Sequence, residues 1–327
     1  MAHRSPLRSL PVWERAAKVG WEKTRLRLRQ EHAHFSTTTS TSTSNRIDTS
    51  ANLLLRQEKD GVLTLNLNRS RQHNALNQTL LHDLKQELER AQNSLLGKDD
   101  GNDPLIRSIV LQSNGSVFSS GHDLKEMNAM SSSEQMELMQ LCSYVMQLLS
   151  EVPQPTVAVV EGLATAAGCQ MAAACDLVVA SREKAQFSTP GATTIGLFCH
   201  TPAVPLVRCI GLKRAKAMLY TGQVLAAQEA LEYGLVSHLV NSIDTNPKEF
   251  GAQLAREIAN NVSFPALALG KKTLHRQMEA PSLKQAYNIA SEAMVENLQT
   301  QDGQNPEETS LVDQFGDLVA WNRSNPS

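Results

Sequence analysis

Val62-Leu63-Thr64-Leu65-Asn66-Leu67 alternates with a period of two, which predicts a strand with one buried face. A polar loop follows over 68–74. Leu76, Leu80, Leu81, Leu84, Leu88, Ala91 and Leu95 then recur at helical spacing. Lys98–Pro104 reads as a charged turn, and Ile106–Gln112 as a second strand. Ser131 and Glu134 have the spacing of a capping box. They open a helix carrying Met136, Met139, Val145, Leu148 and Leu149. Thr156–Val160 is apolar after its first residue, so this strand should be buried on both faces. Asp176–Ser181 is a fourth strand. Gly234 ends an Ala- and Leu-rich helix, and Leu235–Val240 is a further strand. Beyond Pro247 the pattern is helical over Phe250–Asn260, Pro265–Met278 and Leu283–Leu298. Strands alternating with helices, then helices alone, predict α/β layers with a helical tail.

Composition narrows the function classes. The chain has 327 residues and is 41% apolar, enough for a substantial core. Aromatics are only 4% and the net charge is -2, which gives no footprint for nucleic acid. The most apolar stretch, Thr156–Ser181, is broken by Glu161, Gln170 and Asp176, so no membrane span is expected. Five cysteines form no CxxC pair and have no histidine at metal spacing. They read as reduced, packed thiols, and no metal is expected.

Charge is concentrated at one end. Residues 1–46 hold nine Lys/Arg against three acids and lead through the Ser/Thr run Ser36–Ser44. That composition predicts a mitochondrial transit peptide, with a solvated basic tail or a nucleic-acid arm as the plainer reading.

Two glycine-bearing segments carry the candidate chemistry. They are Phe118-Ser119-Ser120-Gly121-His122-Asp123 and Gly162-Leu163-Ala164-Thr165-Ala166-Ala167-Gly168-Cys169-Gln170. Each sits after a strand and before a helix, where free N–H groups point outward and suit an anionic oxygen. GxxxxGK[ST], GxGxxG and GxSxG are all lacking, which argues against a phosphate loop, a dinucleotide fold and a serine hydrolase.

These segments also carry a resemblance. Leu65–Arg69 with Asn74-Ala75-Leu76, Phe118–Met127, Val157–Asp176, Glu183–Phe187, Thr221-Gly222 with Ala227–Val236, and Pro265–Leu274 together resemble the crotonase, or enoyl-CoA hydratase/isomerase, superfamily. The resemblance covers roughly residues 55–310. It implies an α/β spiral of ββα turns over 52–262. A C-terminal helical region over 263–320 would build homotrimers, often paired into hexamers. It also implies an acyl-CoA thioester as ligand, no separate cofactor, and a place in mitochondrial fatty-acid metabolism, in the matrix.

Carried onto this chain, the family's two backbone oxyanion donors are the N–H groups of His122 and Ala167. The first hydratase glutamate falls on Gln170, and the second on Gly191 or Ala192. Gln170 hydrogen-bonds but has no useful basicity, so a conventional hydratase is not expected. His200 lies near where dienoyl-CoA isomerases of the family place an aspartate, and can be a base or simply a histidine at a helix start. The His122 side chain is a second candidate base. Asp123 should brace its loop. For CoA, the loop Arg69–Asn74 resembles the segment along the nucleotide, and Lys271 or Lys272 can meet a phosphate. Three functions stay open: an enolate chemistry without the glutamate pair, such as decarboxylation; a non-catalytic acyl-CoA binder; and an isomerase or residual hydratase using a histidine.

Overall fold

The computed structural model describes residues 52–94 and 105–304. All of them belong to the unit that begins at Asn52. The proposed transit segment 1–46, the turn Lys98–Pro104 and residues 305–320 of the helical region lie outside the described residues.

In chain order, β1 (Leu54–Lys59) and β2 (Val62–Leu67) form a hairpin, and α1 (Gln78–Asn93) follows, its N-terminus capped by Asn77. β3 (Ser108–Ser113) leads to β4 (Val117–Ser119), α2 (Leu124–Ala129) and α3 (Ser132–Glu151). β5 (Thr156–Val160), β6 (Leu163–Thr165) and α4 (Ala167–Ala174) come next. Then follow β7 (Leu177–Ser181), β8 (Gln186–Ser188), α5 (Gly191–Thr194) and α6 (His200–Thr221). The chain continues through β9 (Val224–Ala226), α7 (Ala227–Tyr233), β10 (His238–Val240) and α8 (Pro247–Asn261). It finishes with α9 (Phe264–Glu279), α10 (Leu283–Leu298) and α11 (Gln301–Gln304).

The strands divide between two sheets in a regular way. One sheet has six strands in the order β1-β2-β3-β5-β7-β10, the other four in the order β4-β6-β8-β9. Each turn of chain lays a strand in the large sheet, a short strand in the small one, then a helix. The strand pairs β3/β4, β5/β6 and β7/β8 repeat this step, so the chain winds as the spiral of ββα turns that the resemblance implied.

Alternation decides what each face of the large sheet buries. Leu63, Leu65, Leu67, Ile109, Leu111, Ala158, Val160, Val178 and Ala180 point into the main core. The intervening Val62, Val110, Val157, Val159, Val179 and Val240 point the other way, onto Ala255 and Ala259 of α8. All five residues of β5 are buried, as its unbroken apolar run predicts. Burial is worth about 1.5–3 kcal/mol for each large aliphatic side chain, so this two-sided packing dominates the stability of the unit.

The capping box at Ser131 is present: its N–H donates to Glu134 Oε2 at 2.7 Å, and the Glu134 N–H returns to Ser131 Oγ at 3.4 Å. The predicted helices over the tail match α8, α9 and α10 to within a few residues. α6 is two helices joined at Gly211, whose φ of 76° breaks the helix. The three-residue strands of the small sheet were not foreseen. They matter most, because their ends carry the candidate site.

Candidate functional site

β4, β6 and β8 lie side by side and parallel, so their C-terminal ends share one edge. Three loops leave that edge. The first carries Gly121 and His122, the second Ala166 and Ala167, the third Thr189 to Gly191. The carboxyl ends of parallel strands are where open α/β sheets bind ligands.

The first loop is held by main-chain hydrogen bonds on both sides of His122. Leu76 N–H donates to Gly121 O at 2.7 Å, and Asp123 N–H donates to Leu76 O at 3.0 Å. Ser120 N–H donates to His73 O at 3.0 Å. The His122 N–H itself meets no acceptor among the described residues. In the second loop, Ala166 N–H donates to Ser188 O at 3.0 Å. The first helical bond of α4 runs from Gln170 N–H to Ala166 O, so the Ala167 N–H is one of the unpaired donors of a helix start.

Close backbone approach brings the two donors onto adjoining segments. A Cβ on Gly121 would lie 3.0 Å from Ala166 Cβ and 3.1 Å from Ala167 N. A Cβ on Gly168 would lie 2.3 Å from Ser119 O, so the start of α4 rests on the end of β4. Gly121 also holds a φ of 86°, in the left-handed region. Ala166 holds φ 51° and ψ -120°, a conformation that costs a residue with a side chain about 1–3 kcal/mol. That cost turns the Ala167 N–H outward at the positive end of α4.

Three side chains on these segments hold buried polar atoms without hydrogen-bond partners. Gln170 is 3% exposed, and its Oε1 has no hydrogen-bond partner. Thr189 is fully buried, and its Oγ1 also has none. Both ring nitrogens of His122 are in the same state, and burial lowers the imidazole pKa to about 4. The ring is therefore neutral at pH 7.

Among the described residues, the carboxylates nearest in sequence to this group have other partners. Asp123 lies 2.8 Å from the Arg69 guanidinium and caps α2 through the N–H groups of Lys125 and Glu126. Burial alone would raise its pKa; the hydrogen bond from Arg69 and the two backbone donors outweigh that and hold it low. It braces the loop, as the sequence led us to expect. Gly191 opens α5, and a Cβ there would meet Leu197 O at 2.2 Å and Cys199 Sγ at 2.9 Å. That position has no room for a glutamate. Ala192, the other alternative, is exposed. Glu161 pairs with Lys248 at 3.6 Å.

Several residues expected to meet a ligand already have partners within the fold. Asn74 is fully buried, accepts from Arg69 N–H at 2.8 Å and donates to Asn114 O and Val117 O, so it clamps the loop and cannot line a nucleotide. Arg69 is occupied by Asp123 and by Ala75 O at 3.0 Å. Lys271 is 8% exposed and donates to Asp176 Oδ2 at 2.6 Å and Gln154 O at 3.1 Å. Its ammonium is turned inward to these acceptors. Lys272 next to it is exposed. His200 is an exposed first residue of α6, its ring 5.0 Å from that of Phe198. These are the contacts of a helix-start histidine. Thr189 was overlooked: its only sequence signal is a threonine one residue beyond a strand too short to recognise.

Other chemistries find little support. The thiols of Cys142, Cys169 and Cys175 are pushed up to about 12 by burial, so none is a ready nucleophile. Among the described residues no His/Cys/Asp/Glu group could hold a metal ion, and no helix is long and apolar enough to cross a membrane.

Comparison with known proteins agrees with this architecture. The enoyl-CoA hydratase/isomerase family matches over residues 57–311. Enoyl-CoA hydratase domain-containing protein 3, mitochondrial, of Xenopus laevis is 42% identical over 253 residues, which span 77% of this chain and 81% of that protein. The Homo sapiens protein of the same name is 41% identical over 249 residues, 76% of this chain and 77% of its own length. Among solved structures, an enoyl-CoA hydratase of Mycobacterium smegmatis superposes with a TM-score of 0.71 at 35% identity, covering 82% of this chain and 97% of its own. The human enoyl Coenzyme A hydratase domain-containing protein 3 gives 0.69 at 39% identity, covering 78% and 95%. With the spiral, its C-terminal helices and the match over most of its length, the chain belongs to the enoyl-CoA hydratase/isomerase family.

Proposed function

We propose that this chain binds an acyl-CoA thioester and holds its carbonyl oxygen between the N–H groups of His122 and Ala167. The observation that carries the reading is that these two donors sit on adjoining segments and meet no acceptor among the described residues. A carbonyl oxygen gains from both donors, and gains more as it becomes an enolate oxygen. A single donor of this kind is worth about 10²–10³ in rate. Because the donors are main chain, alanine at 167 keeps the hole.

Hydration by the two-glutamate route does not fit. Gln170 is an amide, and Gly191 has no space for a side chain. An isomerase using His200 is disfavoured by that residue's exposure. The same gap in acid–base groups supports a second reading, a non-catalytic acyl-CoA binder. For the CoA phosphates, exposed Lys272 is the remaining member of the lysine pair. The relatives named as mitochondrial, together with the Arg- and Ser-rich residues 1–46, support a mitochondrial matrix protein of fatty-acid metabolism. Leu274, Met278, Leu283, Tyr287, Met294 and Val295 leave an exposed apolar surface on α9 and α10, which supports a homotrimer or hexamer built through that pair.

Titration calorimetry with CoA and butyryl-CoA, and a crotonyl-CoA hydration assay, test the reading. We expect butyryl-CoA to bind more tightly than CoA and crotonyl-CoA to remain unhydrated. Equal affinity for CoA and butyryl-CoA would remove the hole from the account.

A further inference from the structure

We propose that the loop 195–198 and the second half of α6 form a face that docks on an anionic membrane surface. The proposal is independent of the His122/Ala167 hole.

The starting point is an uneven distribution of charge. Residues 184–228 hold five of the chain's 31 Lys/Arg and none of its 33 Asp/Glu. The remainder is therefore acidic on balance. The same stretch exposes large apolar side chains, among them Leu197, Phe198, Leu212 and Tyr220. Exposed apolar groups beside basic ones, with no acid between them, mark an interaction surface.

These groups share one place. The Phe198 and Tyr220 rings stand 6.2 Å apart, which seats the loop against the end of α6. α6 breaks at Gly211, and beyond it Leu212, Lys213, Lys216 and Tyr220 recur at helical spacings that keep them on one side. All four are exposed. Ala215, Met218 and Leu219 carry the buried side of the same turns. Lys213 and Lys216 meet no acid among the described residues. Arg214 is engaged elsewhere, donating to Tyr233 O at 2.9 Å. In the loop, a Cβ on Gly196 would find nothing within 4 Å, so the tip stands clear of the fold.

Chemistry selects the partner. A bilayer interface takes aliphatic and aromatic side chains at the depth of the headgroups, and anionic headgroups attract the ammonium groups beside them. Lysine stems lie along apolar surface while their charge stays in water. A second copy of the chain fits this face less well. The other exposed apolar surface, on α9 and α10, mixes Arg276 and Lys284 with Glu279, Glu292 and Glu296, so it offers both signs of charge to a protein partner. The α6 face offers one sign, and two copies of it repel. The contact lies on the membrane and does not span it, since among the described residues no helix is long and apolar enough to cross. The loop follows α5, which the third loop of the candidate site opens, so docking sets that edge of the fold beside the bilayer.

Cosedimentation of the full chain compares vesicles of phosphatidylcholine alone with vesicles of phosphatidylcholine and phosphatidylserine in equal amounts. Residues 1–46 are basic as well, so the decisive comparison is between variants of that chain. We expect binding to the anionic vesicles only. Lys213→Glu/Lys216→Glu should weaken it by about 25-fold or more, roughly fivefold for each lysine. Leu197→Ser/Phe198→Ser should weaken it by about tenfold. Ile243→Ser, at an exposed residue outside this face, should leave it unchanged. Circular dichroism reports that each variant folds, and sedimentation velocity reports its oligomeric state. No binding, or equal binding to neutral vesicles, overturns the proposal. Binding unchanged in both double variants also overturns it and places the contact elsewhere, as at residues 1–46. A change of oligomeric state in a folded double variant makes this face a contact between copies of the chain, which overturns the membrane reading.

Discussion

Two of the polar clusters in this unit are built in opposite ways. Behind α3 and α4, Asp176 accepts from Thr156 N–H at 2.7 Å and from Lys271 Nζ at 2.6 Å, and the Thr156 hydroxyl stands 2.9 Å from both Leu149 O and Asp176 Oδ2. The Lys271 ammonium also reaches Gln154 O at 3.1 Å. At the edge of β4, β6 and β8, by contrast, Gln170, Thr189 and His122 leave polar atoms unpaired. The first cluster is closed and ties α9 to the spiral. The second leaves its polar atoms without partners among the described residues. Burial alone does not separate a structural polar group from a functional one; partner satisfaction does.

The contrast can be broken from either side. The largest effects should come from charge. Lys271→Met leaves Asp176 without its cation; because Asp176 keeps contact with water, the loss is expected to be about 1–2 kcal/mol, read by urea denaturation. Acyl-CoA affinity measured on the folded fraction should not change. A loss of affinity as large as that of a hole variant would erase the distinction between the clusters.

His122 gives an effect that depends on pH. Its folded pKa is about 4, below the ordinary value of 6.5. Above pH 6.5 neither folded nor unfolded chain holds that proton. As pH falls from 6.5 to 4 the unfolded chain takes it up first, and stability falls by roughly 3 kcal/mol over that window. His122→Asn should flatten this part of the stability profile between pH 4 and 7. A slope that persists unchanged would place the titration elsewhere.

Smaller effects should follow backbone changes at the open cluster. Gly121→Ala places a Cβ 3.0 Å from Ala166 Cβ at a φ of 86°, and is expected to cost about 1–3 kcal/mol and weaken acyl-CoA binding. Ala166→Gly relieves the positive φ at the start of α4 and should stabilise by up to about 1 kcal/mol with the hole preserved. Thermal unfolding and calorimetry on the pair separate strain from function. If Ala166→Gly destabilises, the strain at that residue is not real.

The sequence showed different parts of this picture with different clarity. Long elements were visible because periodicity needs length: β2, β5, α3 and α10 fall where the pattern put them. The strands β4, β6, β8 and β9 are three residues each, too short for any period, so the second sheet came only through the resemblance. The approach of the His122 and Ala167 segments was legible because glycines mark close backbone contact. The ligand contacts were not. Arg69, Asn74 and Lys271 are polar residues in plausible places, and sequence does not say which of them already have partners indoors. One clue stood in plain view. Asp176 interrupts the most apolar stretch of the chain, and an acid there requires a cation from elsewhere, which is Lys271.

A hole made of main chain, as proposed for this chain, has a consequence for how such a protein changes over time. Substitutions leave amide groups in place, so the grip on a carbonyl oxygen withstands mutation at most of the residues that form it. What the bound molecule then undergoes depends on the few side chains that project from the neighbouring loops. A lineage can therefore exchange one reaction for another, or abandon reaction altogether, without first losing its ligand.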